Sequence, residues 1–573
     1  MKKILLAVLI IYAGTANATV FSVTNANDAG AGSLRQAITN ANADAASPHT
    51  ININVAGTVL LNSNLPVISK SITINGAVPG GSTISGNQLY SIFNFTGTNL
   101  NLLSVSLNDL ELKDAFTSSS ISGDGGSAIH GIYLQNAIIN RCYIHDCKNV
   151  VTGSGTFLTI HGGAVSVNSM GSCSTTRNFY MRQTTIAYNL LSGTNSGGFM
   201  EAYGAGVFAQ AFNDTIVNCT FFGNKVIATT NLGSSQATAT GGGMAFYGCG
   251  MSVNHASFVS DTAEAINTAG GSSTSGAGGL STVKYAINIS NSLADLNMAG
   301  NSPDIGSLSN GMGEIISGGY NVIGTLGGAW SSVKTTDSVN KPSGVQPLGS
   351  NGFTIPTCGL TTTSPAFNMV LSGVLLLTDG RNFSRDSKPD AGAYELNGAV
   401  LPLKLLSFNA VKCNHQVCLS WRTSEEINTS TFTIQRSKDG ATFNNIDIIK
   451  AWGTGNHDYT AADPQVTNGT SFYRLLMNDK DGKSRYSPVV KINLSSAAGM
   501  AVSPNPANEY FSITNPIHVQ QIVLLQNDGR IIKQWTAVQG NKYFTSNILQ
   551  GIYMVKIVTT TGIESHKLII AKQ

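Results

Sequence analysis

The densest group of side chains that could do acid–base chemistry lies in one short segment of the sequence. Arg141, His145, Asp146 and Lys148 fall within eight residues. Cleavage of a polysaccharide needs either two carboxylates that flank the glycosidic bond or a base that removes a proton beside a uronate. These four residues are therefore the candidates for catalysis of that kind.

The wider pattern around this segment does not favour an enzyme. The sequence has no adjacent pair of aspartates, as a polygalacturonase would require, and no RxPxxR motif of the pectate lyase kind. His130 and His161 each precede a glycine but lack such partners. Alternation in CYIHDC places His145 on the face opposite Ile144, so the cluster can equally be a solvated wall.

The competing hypothesis is a non-catalytic surface protein, either an adhesin or a glycan-binding scaffold. A long polar wall of repeats offers a repeated binding surface without a pocket built from loops. Tyr143, Tyr180 and Tyr188 could stack on sugar rings, or could instead form a buried aromatic ladder. The sequence favours the non-catalytic hypothesis, with an extracellular polysaccharide or a host surface as the partner. A polysaccharide lyase or glycoside hydrolase is the alternative, and no cofactor is predicted.

Repeated short strands must position these residues. Six segments from DLELKD to NSLADL share an apolar centre at intervals of 34 to 42 residues, and a glycine-led strand falls between them four times. One strand per repeat cannot bury its own apolar face, so the repeats are expected to stack in parallel into a solenoid. The predicted centres are Leu110, Ile144, Ile186, Phe221, Phe258 and Leu293, and the glycine-led segments start at Gly162, Gly204, Gly241 and Gly276.

The solenoid is predicted to be a right-handed parallel β-helix, because the regular leucine lattice of a leucine-rich horseshoe is absent. Asn189, Asn224 and Asp261 each lie three positions after an apolar centre, where stacked polar side chains can hydrogen-bond along a turn. The repeats are longer than a minimal coil. Residues 233–242 and 270–279 are therefore predicted to bulge as loops from one edge.

Several motifs resemble those of known β-helix proteins. The patterns FFGN and GGAV resemble the repeats of polymorphic outer-membrane proteins and other β-helical bacterial surface proteins. The segments ISGGYNVIG, TSPAFN and DGRNFSRDSKPDAGAYEL resemble the terminal coils of the choice-of-anchor Q group. Residues 27–42 resemble the N-terminal cap of secreted β-helix proteins, so the resemblances together bracket residues 19–396.

The cap segment also has the pattern of an amphipathic helix that begins at Ser33. Its apolar side chains recur at the spacing of one helical face, which could cover the open end of the solenoid. The predicted face consists of Leu34, Ala37, Ile38 and Ala41.

Residues 397–496 are predicted to form a separate unit. Charged residues rise near residue 400 from about one in eleven to about one in six. Alternation places Val417, Leu419 and Trp421 on one face of a strand. The segment LSWRTSEEINTSTFTIQRSKDGATF resembles the fibronectin type III-like modules that often precede secretion sorting tails, which implies a β-sandwich around Trp421.

The cysteines divide by location. Cys413 and Cys418 would face outward across a hairpin, so a disulfide between them is predicted for an exported protein. No CxxC pair exists, and the acidic turn at 478–482 lacks the later carboxylate of a calcium loop, so no metal site is predicted. The other repeat cysteines are expected to be small buried core residues. They are Cys142, Cys147, Cys173, Cys219 and Cys249.

Residues 497–573 are predicted to form a small β-sandwich, with alternation in QIVLLQ and YMVKIV and a turn at Asn527-Asp528-Gly529. SPNPANEYFSI, NDGRII, LQGIYMVKI and Lys567 before an apolar pair resemble the type A C-terminal sorting domain of the type IX secretion system of Bacteroidetes. The resemblance implies that the outer-membrane secretion machinery is a partner. It also implies that the protein is secreted or held on the cell surface.

The N-terminus and the composition are consistent with export. Lys2 and Lys3 precede an apolar run at residues 4–12 and the small residues Ala16-Asn17-Ala18, so a signal peptide of residues 1–18 with cleavage after Ala18 is predicted. That run is too short to span a bilayer, and no transmembrane segment is predicted in the mature chain. The net charge of +3 is not concentrated in any run, which argues against a nucleic-acid partner.

Overall fold

The computed structural model describes residues 19–572 with short gaps, and within them the chain forms β-strands and one α-helix. The predicted signal peptide and its cleavage site after Ala18 lie outside the described residues, as does most of the acidic turn at 478–482. The gaps are 56, 78–80, 172, 174–175, 301–302, 308–312, 328–329, 372–375, 397–398, 401–402, 414–415, 425, 427–428, 453–456, 466–468, 480–483, 495–499, 515, 517–518, 537–541 and 561.

Parallel strands stack coil upon coil into a β-helix, which confirms the predicted fold class. A complete coil passes through wall 1 and wall 2 and returns through wall 3. Wall 1 comprises Val20–Val23, His49–Ile53, Ile72–Gly76, Leu103–Asn108, Leu134–Asn140, Asn178–Arg182, Asn213–Val217, Gly250–Asn254, Ile287–Ser290, Ile315–Gly319 and Trp330–Ser332. Wall 2 comprises Thr58–Leu60, Ser82–Ser85, Leu110–Lys113, Tyr143–His145, Thr185–Ala187, Thr220–Phe222, Ser257–Val259, Leu293–Asp295, Val322–Ile323 and Ser338–Val339. Wall 3 comprises Phe93–Thr96, Ile129–Ile132, Val165–Asn168, Val207–Gln210, Met244–Tyr247, Leu280–Thr282 and Ile305–Ser307.

Five of the coils make an excursion between wall 2 and wall 3, which we call the lobe. Each excursion runs out on one parallel sheet and back on another, and the two sheets enclose an apolar core of their own. The outward strands are Phe116–Ser119, Lys148–Gly153, Leu190–Asn195, Lys225–Thr230 and Thr262–Asn267. The return strands are Gly123–Asp124, Phe157–His161, Phe199–Tyr203, Ala237–Thr240 and Ser273–Ser275.

The lobe corrects the prediction of bulging loops at 233–242 and 270–279. Both segments contain return strands, because small side chains such as Ala237 and Ala239 fit the narrow space between the two sheets. Glycine, serine and threonine in a row look like a loop in sequence, but the parallel strands of the neighbouring coils supply the hydrogen bonds that an isolated strand would lack.

The register of wall 2 confirms four of the six predicted strand centres. Ile144, Ile186, Phe221 and Phe258 stack directly in consecutive coils. The two outer centres are wrong, since Leu112 rather than Leu110 lies beside Ile144, and Ala294 rather than Leu293 lies beside Phe258. Leu110 and Leu112 are both buried, so alternation alone leaves their register ambiguous by two residues.

The glycine-led strands and the polar ladder are both confirmed. Val165, Val207, Met244 and Leu280 stack in one column of wall 3, one residue from each predicted segment. In the ladder, Asn189 Nδ2 donates to Asn224 Oδ1 at 2.9 Å, and Asn224 Nδ2 donates to Asp261 Oδ1 at 2.8 Å.

The cap helix, Leu34–Ala43, closes the N-terminal end of the β-helix as predicted. The Ser33 hydroxyl accepts a hydrogen bond from the Gln36 amide at 3.2 Å, which satisfies one of the free N–H groups of the first turn. The four residues of the predicted apolar face, Leu34, Ala37, Ile38 and Ala41, are buried against the first coils.

The described residues between 343 and 395 fold back along the outside of wall 2, and we call this segment the strap. Gln183 Nε2 donates to Asp379 O at 3.1 Å, Thr185 Oγ1 donates to Pro356 O at 2.6 Å, and Arg385 Nη2 donates to Asn218 Oδ1 at 3.0 Å. The predicted terminal coils at TSPAFN and DGRNFSRDSKPDAGAYEL belong to the strap and form no coils. The strap also covers Leu293, which faces outward from wall 2. Because this leucine is buried under the strap, its apolar character in the sequence resembles that of a strand centre in the β-helix core.

Two antiparallel sheets follow. One contains Lys404–Cys413, Gln416–Ser424 and His457–Asp463, and the other contains Thr429–Ser437, Asn444–Lys450, Gly469–Asp479, Ser484–Tyr486 and Val490–Leu494. Trp421 lies in their common core and stacks on Tyr459 at 5.1 Å, with Val417 and Leu419 buried on the same face as predicted. Short antiparallel pairs lie nearby in sequence at Leu348–Gly349 with Thr357–Cys358 and at Phe383–Ser384 with Ala399–Val400.

The cysteines follow the predictions in part. Cys413 and Cys418 form a disulfide with their Cα atoms 5.8 Å apart. Cys142, Cys147 and Cys219 are buried in the β-helix, where burial raises the pKa of each thiol to about 12. The prediction is wrong for Cys173, which is exposed, and for Cys249, which is half-buried, because both lie in turns between wall 3 and wall 1.

The C-terminal residues form two further antiparallel sheets. They comprise Val502–Ser503, Tyr510–Ile513 and Tyr543–Phe544, and Val519–Gln526, Ile531–Trp535, Gly551–Thr559 and Ile563–Ile570. Gly529 has a φ of +86° in the predicted turn, where its N–H donates to Gln526 O at 2.9 Å. Across the described residues, no helix has the length and apolar character needed to cross a membrane.

Candidate functional site

The candidate residues lie at the corners of adjacent coils. Asp109 and Arg141 occupy the corner between walls 1 and 2, with φ values of +63° and +52°. Asp146 occupies the corner between wall 2 and the lobe, with a φ of +54°. Few residues other than glycine adopt this left-handed conformation, although aspartate tolerates it better than most. Because every coil repeats these corners, polar side chains of successive coils come into contact.

Arg141 is held by a carboxylate one coil earlier. Its Nε and Nη2 atoms donate to Asp109 Oδ1 and Oδ2 at 2.6 and 2.7 Å, a bidentate geometry that gives strong and directional hydrogen bonds. Burial raises the pKa of Asp109, against the opposing effect of Arg141. The positive charge of the Arg141 guanidinium group therefore partly offsets the cost of burying the Asp109 carboxylate.

His145 lies between two carboxylates. Its Nδ1 atom is 2.6 Å from Asp146 Oδ2, and its Nε2 atom is 3.0 Å from Glu111 Oε1 on the preceding coil. The Tyr143 ring stacks on the imidazole with 3.9 Å between ring centroids. Glu111 also accepts a hydrogen bond from the Thr83 hydroxyl, so the network joins three consecutive coils of wall 2.

The charges in this network stabilise one another. Burial lowers the pKa of His145, but the hydrogen bonds and negative charges of Glu111 and Asp146 outweigh it and raise the pKa above its ordinary value. Burial raises the pKa of Glu111, but hydrogen bonds from His145 and Thr83 outweigh it and lower that pKa. The paired state with a cationic imidazole and an anionic Glu111 is therefore favoured.

This geometry is unsuited to general base catalysis. A base needs a nitrogen lone pair that reaches the substrate, whereas both ring nitrogens of His145 face carboxylates and an imidazolium has no acceptor. The side chain is also only 11% exposed. The arrangement can hold neighbouring coils together, but it does not present His145 to a substrate.

Lys148 stands apart from the other candidates. It begins an outward strand of the lobe and is exposed. In the described structure its ammonium group forms no hydrogen bond or ion pair with His145 or Asp146. The four residues that are adjacent in sequence thus separate into a corner clamp at Arg141, a histidine network and a solvated lysine.

Sequence reasoning missed the partners in the two preceding coils, which are Asp109 and Glu111 in the nearer coil and Thr83 in the one before it. A signal was present, because DLELKD and CYIHDC are consecutive repeats. Their correct alignment places Leu112 beside Ile144 and Glu111 beside Tyr143, which brings the carboxylate within reach of the histidine. The register error of two residues at Leu110 concealed this pairing.

Among the described residues, no group of three or more His, Cys, Asp or Glu side chains is arranged to hold a metal ion. Comparison with known proteins identifies the C-terminal region. Residues 501–571 match the model of the secretion system C-terminal sorting domain. The match confirms the predicted type IX sorting tail and indicates export, with secretion or surface attachment, through that secretion machinery.

The sorting domain accounts for 71 of the 573 residues, so the match identifies the tail alone. The turn at Gly529 and the final strands of this domain are those described above, with Tyr553, Val555 and Leu568 in its core. No curated protein matches the chain.

Two solved structures show limited similarity. The structure of dimeric latent PorU from Porphyromonas gingivalis is 12% identical over 33% of this chain and 23% of that chain, with a TM-score of 0.14. The fibronectin(III)-like modules of Clostridium thermocellum CbhA are 14% identical over 30% of this chain and 95% of theirs, also with a TM-score of 0.14. The chain thus spans less than a quarter of the PorU chain that it matches.

Exposed aromatic side chains occur on the β-helix surface. Tyr188, at the corner beyond Tyr143, is 47% exposed and packs against the edge of Phe222. On the outer face of the lobe, Phe157 and Phe199 stack in adjacent coils and are 53% and 41% exposed. Tyr180 is half-buried on wall 1 between Ile138 and Thr215. Of the tyrosines predicted to stack on sugars, Tyr188 is therefore exposed, whereas the Tyr143 ring stacks on His145.

Proposed function

We propose that this protein is a secreted or surface-attached β-helix scaffold that binds extracellular glycans and does not cleave them. The tail delivers it to the cell exterior, and the β-helix walls provide the binding surface. An extracellular polysaccharide or the glycans of a host surface are the partners.

The observation that carries the proposal is the internal pairing of the candidate catalytic cluster. His145 is hydrogen-bonded by Glu111 and Asp146, and Arg141 is hydrogen-bonded by Asp109. Both ring nitrogens of His145 and the guanidinium group of Arg141 are engaged by carboxylates, so neither side chain is available to remove or donate a substrate proton. A polysaccharide lyase or glycoside hydrolase would need such a group at the surface.

The exposed aromatics support binding. Aromatic rings bury apolar area at low entropic cost and can stack on the C–H faces of sugar rings. Tyr188, Phe157 and Phe199 present such rings along the β-helix, and a binding surface that repeats from coil to coil suits a repeating polymer.

The proposed organisation places this scaffold in a modular chain. A signal peptide occupies residues 1–18, the β-helix with its cap and strap occupies 19–396, a fibronectin type III-like sandwich occupies 397–496, and the sorting domain occupies 497–573. The sandwich would act as a spacer between the scaffold and the tail.

A glycan array probed with the full chain tests the proposal. We expect binding to a subset of glycans. Tyr188→Ala or Phe157→Ala should weaken this binding roughly tenfold, since each removes a stacking contact that contributes about 1–2 kcal/mol of binding free energy. Phe544→Ala is the control, because Phe544 is an equally exposed aromatic in the sorting domain. Absence of binding to every glycan on the array would refute the proposal.

A further inference from the structure

The lobe has an N-terminal end that differs from the end of the β-helix. The cap helix covers the β-helix core, whereas the preceding coil, with strands at Ser82–Ser85 and Phe93–Thr96, has no lobe strands among its described residues. The first excursion, formed by Phe116–Ser119 and Gly123–Asp124, therefore lies at an open edge of the lobe. Solenoid ends normally need a cover for their apolar core.

The first excursion carries small polar residues where later coils carry apolar ones. Thr117 stacks above Asn149 and then Leu191, and Ser119 stacks above Val151. On the return side, Gly123 stacks above Ile160. The columns that fill the lobe with Leu191 and Ile160 thus end in short side chains or none, which leaves a hollow.

This hollow is a cleft of about 230 Å³. Its described lining contains no Asp, Glu, Lys or Arg, and combines hydroxyl, amide and imidazole groups with an apolar floor at Val151. The volume is that of about eight water molecules in the liquid, or of one sugar ring. Side chains that contribute polar groups include Asn94, Thr117, Ser119, His130 and Asn149.

Two polar groups in the cleft have unused hydrogen-bonding capacity. Asn149 is only 3% exposed, and its Nδ2 donates to Gly162 O at 3.0 Å, while its Oδ1 accepts nothing from the described residues. The Thr117 hydroxyl, directly above it in register, is buried and has no hydrogen-bond partner. A buried polar atom without a partner destabilises the fold, and a ligand hydroxyl could supply the missing hydrogen bond.

We infer that the open end of the lobe is a binding cleft for one neutral sugar unit, held by hydrogen bonds to Asn149 and Thr117 over the apolar surface of Val151. The described lining offers no Lys or Arg, which favours a neutral polyhydroxylated ring over a uronate, because a carboxylate would lose its hydration without gaining a permanently charged partner. This inference rests on the proposed glycan-binding function and names a specific site and sugar class for it.

Gly123→Leu in the full chain tests the cleft. A Cβ at Gly123 meets no atom within 4 Å, so the leucine should occupy the cleft without disturbing the fold. Gly250→Leu is the matched control, since Gly250 also begins a strand and has the same free space, but lies on wall 1. Asn149→Leu is a second variant, because Leu191 already occupies the same column one coil later.

The probes are the methyl glycosides of glucose, galactose, mannose and N-acetylglucosamine, with methyl glucuronide for comparison, measured by ligand-observed NMR. At least one neutral glycoside should bind, with affinity about tenfold weaker in Gly123→Leu and Asn149→Leu and unchanged in Gly250→Leu. Equal binding to all variants, or preference for the glucuronide, would overturn the cleft while leaving glycan binding intact. Binding on the array without binding of any glycoside would also refute only the cleft, whereas silence in both experiments would refute both proposals.

Discussion

The Nε2 atom of His145 lies 3.0 Å from Oε1 of Glu111, which belongs to the preceding coil of wall 2. The directly adjacent residue in the register is Tyr143, so the contact runs diagonally across the wall. It closes a network in which Asp146 holds the other ring nitrogen. In this network, the densest group of acid–base side chains in the sequence links neighbouring coils of the β-helix.

The His145–Glu111 pair should stabilise the β-helix most at mildly acidic pH. The folded-state pKa of His145 is raised above 6.5, so its contribution is full below 6.5 and is lost as the pH rises through the raised value. The pKa of Glu111 is lowered from 4.5, so its contribution is full above 4.5 and is lost as the pH falls through the lowered value. A double-mutant cycle with Glu111→Gln and His145→Asn should give a coupling free energy of about 1–2 kcal/mol between these limits and less at about pH 9.

Chemical denaturation at a pH between 4.5 and 6.5 and again at about pH 9 measures this coupling. Lys148→Gln is the control and should leave stability unchanged, because Lys148 is exposed. A coupling that grew with pH would contradict the assignment of a cationic His145.

The polar ladder should be a main source of β-helix stability. Asn224 donates from Nδ2 both to Asp261 Oδ1 at 2.8 Å and to Ile186 O at 2.9 Å, and it is fully buried. Asn224→Ala leaves partners on two coils unsatisfied and should lower the free energy of unfolding by about 2–3 kcal/mol. Asn288→Ala, at an exposed position of wall 1, should change it by less than about 0.5 kcal/mol. Similar effects of the two substitutions in thermal or chemical unfolding would refute a stabilising ladder.

Much of the fold follows from local patterns. The cap helix is predictable because Ser33 and four apolar side chains at helical spacing specify one start and one face. The centres of wall 2 are predictable where a single inward aromatic or isoleucine stands between residues with polar groups, as at Ile144 between Tyr143 and His145. The lobe is not predictable from local patterns. Ala237 and Ala239 form a strand only because they stack on other coils, and no local pattern in the sequence indicates that stacking.

The candidate site shows the same limit. The corner residues Arg141 and Asp146 are visible as a polar cluster, but their function depends on Asp109 and Glu111 about thirty residues earlier. The strap is hidden for a related reason. Its contacts with Gln183 and Asn218 span more than 150 residues of sequence, and only the folded chain brings them together.

Asp261 should destabilise the protein at neutral pH. Burial raises its pKa well above the usual value, and its Oδ2 atom is buried without a partner. A raised folded pKa means that stability falls as the pH rises above the unfolded value of 3.8. Asp261→Asn keeps the acceptor that Asn224 uses and removes the buried charge, so it should raise stability by about 1–3 kcal/mol at pH 7 and by much less at about pH 4.

Thermal unfolding at the two pH values measures this difference. Asp458→Asn, at an exposed site in the sandwich, is the control and should shift stability little at either pH. If Asp261→Asn instead lowered the free energy of unfolding at pH 7, by as much as or more than at pH 4, the carboxylate would be needed in the ladder.

The sorting domain should be necessary for export across the outer membrane. Deletion of all residues after Ser496 removes the domain without entering the preceding sandwich strands, which end at Leu494. Cell fractionation should then find the protein in the periplasm, whereas the full chain should reach the surface or the medium. Phe544→Ala, a single surface change within the domain, provides a folded full-length control. Unimpaired export of the truncated chain would contradict the assignment of the tail.

The most direct test of the central claim is the size distribution of a bound polysaccharide over time. A polysaccharide identified by binding to the full chain is incubated with it and followed by size-exclusion chromatography. The proposed scaffold should leave the distribution unchanged while the protein co-elutes with the polymer. Shortening of the polymer that is abolished by combining His145→Ala with Asp146→Asn would contradict the claim and establish the network as a catalytic site.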